Sequence, residues 1–148
     1  FQVLYRSDRL MVVDDYAHHP TEIKATLSMM KKGGFKRVIA VFQPHRFTRL
    51  QKLMDEFARC FVDADLVVLA PLYQAGQVPI EGVNSEALAA NIRSLDKNKK
   101  VLVFDSLTGL SENLGMTVKE GDGLVFLSAG DLSALAHSFA KSVEAENK

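Results

Sequence analysis

The sequence predicts an α/β domain: a mostly parallel sheet of about six strands, helices on both faces, and one antiparallel edge strand. Three observations carry this. Short apolar runs rich in β-branched residues alternate with segments of 3.6-residue apolar periodicity. The inner runs Arg37–Phe42 and Asp65–Ala70 are almost unbroken in their apolarity, as strands buried on both faces are. The first two runs, Gln2–Tyr5 and Leu10–Val13, are separated only by the polar turn Arg6-Ser7-Asp8-Arg9 and read as a hairpin.

The elements follow in order. Pro20 suits the first turn of a helix, where no amide donor is needed. Ile23, Leu27 and Met30 give that helix an apolar stripe, Glu22 sits near its start, Lys31 and Lys32 near its end, and Gly33-Gly34 stops it. After the strand Arg37–Phe42, a helix is expected from about Arg49 to Val62, with Leu50, Leu53, Met54, Phe57 and Phe61 on one stripe. The strand Asp65–Ala70 leads into a long loop, Pro71–Val83, with two Pro and two Gly. Asn84 can cap a helix carrying Leu88 and Ile92. A strand Val101–Phe104, a short helix Ser106–Leu114 and a last strand Leu124–Leu127 come next. Gly130-Asp131 then opens a helix with Leu132, Leu135, Ala136 and Phe139, and Glu144 to Lys148 are expected to fray.

Composition excludes several classes. The chain has 148 residues, 47% apolar and 24% charged, a size and make-up suited to one soluble domain. Eighteen basic residues balance eighteen acidic ones, so no global field draws the domain to nucleic acid or an anionic membrane, and any anion site is local. No apolar run approaches the roughly 20 residues of a membrane span, and no signal peptide is visible. One cysteine, Cys60, allows neither an intrachain disulfide nor a thiolate-rich metal site and fits a cytoplasmic setting. Cys60 lies near a helix's apolar face and is expected to be buried and inert. The chain starts at Phe1 directly in a strand pattern, which we read as a cut from a longer polypeptide.

Chemistry concentrates in two segments that follow strands and precede helices: Asp14-Asp15-Tyr16-Ala17-His18-His19-Pro20 and Gln43-Pro44-His45-Arg46-Phe47-Thr48-Arg49. In a parallel sheet both open on the carboxyl edge, where such folds place their sites. They hold three of the four histidines, which exchange protons near neutral pH. Asp14 and Asp15 can accept hydroxyl hydrogen bonds or hold a cation's water shell. Arg46 and Arg49, three apart at a helix start, can grip one carboxylate or phosphate. Two arginines there oppose the helix dipole, which favours a recruited anion. Structural readings stand beside these. Either aspartate can cap the turn that follows, a loop histidine can be a packing residue, and the arginines can be first-turn surface residues. Adjacent His18-His19 lacks metal-ligand spacing, so no metal site is assigned. Ser128-Ala129-Gly130-Asp131 lacks a full Gly-x-Gly-x-x-Gly pattern and reads as a strand-to-helix turn; His137 reads as a helix-surface residue.

The two segments, with Asp65-Leu66, Tyr73-Gln74-Ala75-Gly76, Pro79-Ile80, Gly82 and Ser128-Ala129-Gly130-Asp131, resemble the C-terminal domain of the Mur ligases over nearly the whole chain. The Asp-Tyr-x-His core is common to the family. The His-His-Pro-Thr-Glu form joined to Gln-Pro-His-Arg is narrower and resembles the branch that takes L-alanine. A sister branch that recycles murein tripeptide shares only the first motif. The resemblance implies a Rossmann-like three-layer fold and a cytoplasmic enzyme of peptidoglycan precursor synthesis. That enzyme uses ATP and Mg2+ to activate the lactyl carboxylate of UDP-N-acetylmuramate as an acyl phosphate, which L-alanine attacks. It implies a three-domain enzyme in which an N-terminal domain holds the UDP-sugar and a central domain holds ATP and Mg2+. Residues 1–148 are then the third domain. No Gly-x-x-x-x-Gly-Lys-Ser/Thr occurs here, so this segment alone is expected to be inactive.

Residue by residue, the resemblance places Tyr16, His18, His45, Arg46 and Arg49 at the amino acid. Arg46 and Arg49 clamp its carboxylate, and His18 or His45 orients the amine and accepts its proton. Asp15, with Asp14 beside it, is placed at the nucleotide, and His19 supports the loop. Three other readings remain open on the residues: a stand-alone Rossmann-like anion-binding module, a small hydrolase using the Asp/His cluster and a metal, and a ligase whose acceptor is a peptide.

Overall fold

The computed structural model describes residues 1–147; Lys148 lies outside the described residues. Six strands form one sheet in the order β1-β2-β6-β3-β4-β5. β1 (Gln2–Arg6) pairs antiparallel with β2 (Leu10–Asp15). From β2 onward every pairing is parallel, through β6 (Asp122–Leu127), β3 (Arg37–Phe42), β4 (Leu66–Leu69) and β5 (Lys100–Val103). This is the expected architecture, with its single antiparallel edge.

The helices divide by face because strand side chains alternate. α1 (Pro20–Lys31), α2 (Phe47–Arg59) and α3 (Ser85–Leu95) pack over Val13, Ala40, Phe42, Val67, Leu69, Val125 and Leu127. α4 (Leu107–Thr117) and α5 (Leu132–Glu146) cover Val12, Ile39, Val41, Val68, Leu124 and Phe126. Among the described residues no helix is long and apolar enough to cross a membrane.

Several boundaries differ from the sequence reading, three of them in ways that particular side chains explain. Asp14 and Asp15 do not lie in a loop; they finish β2, in register with Phe126 and Leu127. α2 starts two residues early, at Phe47, and stops at Arg59 rather than Val62. Beyond it the Lys99 ammonium collects the carbonyls of Phe61, Val62 and Ala64 and fixes a turn that cannot continue the helix. α5 continues through Glu146, and the Asn147 side chain donates to the Val143 carbonyl. Gly34, at φ +79°, supplies the left-handed residue that ends α1.

At the amino end of the sheet Arg37 donates to both carboxylate oxygens of buried Asp122, at 3.1 and 2.8 Å, and to the Thr117 carbonyl at 2.8 Å. Asp122 also accepts the Lys119 amide. This bidentate pair ties β3, β6 and the end of α4 together and holds the Arg37 guanidinium even more firmly protonated.

Candidate functional site

β2 and β3 flank β6, with Asp15 and Phe42 both paired to Leu127, so the two segments predicted to carry chemistry leave the sheet side by side. Asp15 organises the first. Its Oδ1 accepts the Ala17 amide at 2.8 Å and its Oδ2 the Thr26 hydroxyl at 3.0 Å, which turns the chain into α1. Glu22 reaches back from α1 to accept the amides of His18 and His19. His18 thus sits on a fixed backbone, and its Nδ1 lies 2.9 Å from the Tyr16 carbonyl.

The second segment is pinned by the loop that follows β4. The Arg46 amide donates to the Tyr73 carbonyl and the Tyr73 amide to the Pro44 carbonyl, both at 2.8 Å, making a one-residue parallel bridge between His45 and Tyr73. Arg46 takes φ +74°, a conformation that L side chains adopt at a cost. Gln77 accepts the Thr48 amide and donates to the Thr48 hydroxyl, capping the start of α2. One helix-start amide that could have met an anion is therefore already used.

A buried polar group supports both loops. Gln43, only 3% exposed, donates to Asp131 Oδ1 at 2.6 Å and accepts the Ser128 hydroxyl at 3.0 Å; Ser128 in turn accepts the Gly130 amide. A Cβ on Gly130 would stand 2.6 Å from Gln43 Oε1 and 2.8 Å from the Tyr73 ring, so close approach requires glycine there.

The result is a row of four rings. Tyr16 meets His18 edge-on at 5.1 Å, His18 meets His45 edge-on at 6.1 Å, and His45 stacks on Tyr73 at 5.2 Å and 14°. Arg49 Nη1 lies 3.2 Å from His45 Nδ1. Burial first, then the charges of Arg49, His18 and Arg46, lower the His45 pKa below its usual value. Beside the row, His19, Arg46, Thr48, Arg49, Lys52 and Leu53 line a cleft of about 350 Å³ with cationic but no acidic walls. The Arg46 guanidinium has no partner among the described residues. The arrangement can hold a small anion next to two imidazoles.

Tyr16, His18, His45, Arg46 and Arg49 are thus brought to one edge, with His19 at the cleft wall. Asp14 is not brought to it. As neighbours in a strand, Asp14 and Asp15 point to opposite faces: Asp15 to α1, Asp14 to α5. Asp14 Oδ2 accepts the Ser133 hydroxyl at 2.5 Å and lies 3.5 Å from His137 Nε2. His137, read as a surface residue, is half-exposed but engaged. Asp131, read as part of a turn, anchors Gln43 as well. Cys60 is buried, donates to the Phe57 carbonyl, and has its thiol pKa pushed up by burial, which leaves it inert. Among the described residues no three His, Cys, Asp or Glu side chains cluster for a metal. Tyr73 and Gln77 have no assigned role in the sequence reading; Tyr73 enters it only within the Tyr73-Gln74-Ala75-Gly76 match, and Gln77 only as part of a loop rich in Gly and Pro.

Residues 1–130 match the family model described as Mur ligase, glutamate ligase domain. The UDP-N-acetylmuramate–L-alanine ligase of Geotalea daltonii is 47% identical over 132 residues, covering 89% of this chain and 29% of that protein. The crystal structure of the UDP-N-acetylmuramate-alanine ligase of Thermotoga maritima superposes with a TM-score of 0.77 at 25% identity, over 99% of this chain and 30% of that one. A domain described as part of a UDP-N-acetylmuramate:L-alanyl-gamma-D-glutamyl-diaminopimelate ligase from Haemophilus ducreyi shares the fold. Its TM-score is 0.68 at 24% identity, and the match covers 96% of this chain and 98% of that one. The chain spans about 30% of the length of the full-length relatives it matches.

Proposed function

The chain belongs to the Mur ligase family as its glutamate ligase domain, and on that premise we propose that it is the C-terminal domain of an ATP-dependent, ADP-forming UDP-N-acetylmuramate–L-alanine ligase. The name of the relative that is 47% identical supports the alanine branch. On this reading the enzyme is cytoplasmic and makes a peptidoglycan precursor. UDP-N-acetylmuramate, ATP and Mg2+ are held mainly by an N-terminal and a central domain outside these residues, and the 148-residue segment alone does not turn over.

One observation carries the role of this domain: Arg46 and Arg49 converge on the same sheet edge as His18 and His45. A guanidinium pair matches a carboxylate. Arg46 supplies a free fork, and Arg49 keeps donors beyond the one given to His45. With the carboxylate held there, the amine of a small amino acid lies near the imidazoles, which select its neutral, nucleophilic form. ATP supplies the phosphoryl group that activates the lactyl carboxylate. Toward that nucleotide, Asp15 fits as an acceptor for one hydroxyl, since each oxygen already holding one donor retains a lone pair. Asp14, turned under α5, fits less directly. Among the described residues neither joins a group of three or more His, Cys, Asp or Glu side chains. Closure of this domain over the acyl phosphate excludes water that would otherwise hydrolyse it.

The test is a Michaelis split in the full-length enzyme. Arg46→Ala is expected to raise KM for L-alanine about 10- to 100-fold, matching about 1.5–3 kcal/mol for a charge-assisted hydrogen-bond pair, while KM for ATP moves little. Equal effects on both would remove the clamp. Substituting murein tripeptide for alanine decides the acceptor.

A further inference from the structure

The two imidazoles that face each other in the site are not equivalent, and their fixed partners state which nitrogen of each carries hydrogen. A neutral imidazole has one N–H and one lone pair. His18 Nδ1 is 2.9 Å from the Tyr16 carbonyl oxygen, which can only accept. Nδ1 therefore carries the hydrogen, and the lone pair is on Nε2. His45 Nδ1 is 3.2 Å from Arg49 Nη1, and a guanidinium can only donate. His45 Nδ1 is therefore the acceptor, and its hydrogen is on Nε2. One ring offers a lone pair by its free nitrogen and the other offers a hydrogen.

From this the geometry points to a division of labour: His18 Nε2 takes the proton from the amino-acid substrate, and His45 is a donor that positions it and cannot serve as base. The inference rests on the amino-acid-binding reading above and goes beyond it by separating the two histidines. In the step, one N–H bond of the substrate ammonium breaks and its electron pair stays on nitrogen, while the proton joins Nε2 to make an imidazolium. That nitrogen pair then forms the C–N bond as the acyl C–O bond to phosphate breaks; the departing phosphate removes the second proton.

The surroundings agree. Glu22 Oε1 lies 3.7 Å from His18 Nδ1, placed to offset the positive ring that proton uptake creates. Glu22 is itself fixed by the amides of His18 and His19. Tyr16 and His45 both meet the His18 ring edge-on, at 5.1 and 6.1 Å. His45 has the reverse setting. A second proton would have to sit on Nδ1 against the Arg49 guanidinium, and burial first, then the nearby cations, lower the ring's pKa. Stacking on Tyr73 fixes its plane.

The experiment uses the full-length ligase and two variants chosen to preserve the observed hydrogen bonds. In His18→Asn the amide can still donate to the Tyr16 carbonyl but no base remains. In His45→Gln an amide donor stands where Nε2–H stood. For His18→Asn we expect kcat/KM for the amino acid to fall about 100-fold or more at neutral pH and to lose its acidic limb. Acyl phosphate, trapped with hydroxylamine, should accumulate. For His45→Gln we expect a higher amino-acid KM with the acidic limb kept. A limb lost in His45→Gln and kept in His18→Asn overturns the assignment. A limb unmoved in both, with Arg46→Ala still raising the amino-acid KM, also overturns it while leaving the binding site standing. If Arg46→Ala and both histidine variants leave that KM and the limb unchanged, the amino-acid site itself is misplaced. Folding of variants does not limit the test. Histidine-labelled 15N spectra of the unmodified enzyme should show His18 as the Nδ1–H form and His45 as the Nε2–H form, and the opposite forms would refute it.

Discussion

Gln43→Leu isolates the support beneath the site. Gln43 is 3% exposed and bridges Ser128, also 3% exposed, to the carboxylate of Asp131. Leucine keeps the volume but removes both hydrogen bonds, stranding a buried hydroxyl proton and a part-buried carboxylate oxygen. An unsatisfied buried group costs about 1–3 kcal/mol, more where a charge is involved, partly offset by the added apolar burial. The net expectation is a loss of about 2–4 kcal/mol, or about 5–15 °C in Tm for a chain of this length. The assay is denaturant unfolding of the 148-residue chain, with Ser128→Ala and the double variant completing a cycle. Because Ser128 and Gln43 serve each other, the two losses should fall short of additive by about 0.5 kcal/mol or more. A Gln43→Leu loss under about 1 kcal/mol, or strict additivity, would refute the idea that this network holds the two loops together.

Other outcomes follow from the same structure. Asp122→Asn breaks the bidentate pair with Arg37 in a buried setting and should cost about 2–4 kcal/mol, discounted from the usual 3–5 because Arg37 is partly exposed; chemical unfolding reads it, and a loss near zero contradicts the pairing. His45 has a folded pKa below its unfolded value, so the unfolded chain binds the extra proton first. Stability should then rise with pH from the depressed folded value up to about 6.5. His45→Gln should flatten that part of the stability–pH curve, and an unchanged slope would count against it. Gly130→Ala drives a methyl into Gln43 Oε1 and the Tyr73 ring and should raise the amino-acid KM of the full enzyme as well as lower Tm; a change in Tm alone would separate the packing from the site. The 148-residue chain alone should release no ADP with both substrates present.

Much of the fold was legible because the signals are local. Unbroken apolar strands at Arg37–Phe42 and Asp65–Ala70 announce a covered parallel sheet, and Pro20, Asn84 and Gly33-Gly34 mark helix ends by their own backbone chemistry. The convergence of Tyr16, His18, His45, Arg46 and Arg49 was legible too, since strand ends in parallel sheets share an edge. What escaped depends on partners distant in sequence. Asp14 faces Ser133 and His137 more than 110 residues away, and nothing near Asp14 reveals which face of the sheet it takes. Lys99 ends α2 from 35 residues or more downstream, through three carbonyls no periodicity can show. Tyr73 and Gln77 shape the site through a single backbone bridge and a helix cap, features that exist only once the loops meet. Arg49 was read as a free anion-binding fork, yet it spends one donor on His45, which gives that histidine its fixed tautomer.

The most direct test is a crystal structure of the full-length enzyme with L-alanine, UDP-N-acetylmuramate and a non-hydrolysable ATP analogue. The account predicts the alanine carboxylate between Arg46 and Arg49, with its amine within hydrogen-bond reach of His18 Nε2. Alanine bound away from the Tyr16–His18–His45–Tyr73 row, with both guanidinium groups turned to solvent, would contradict it.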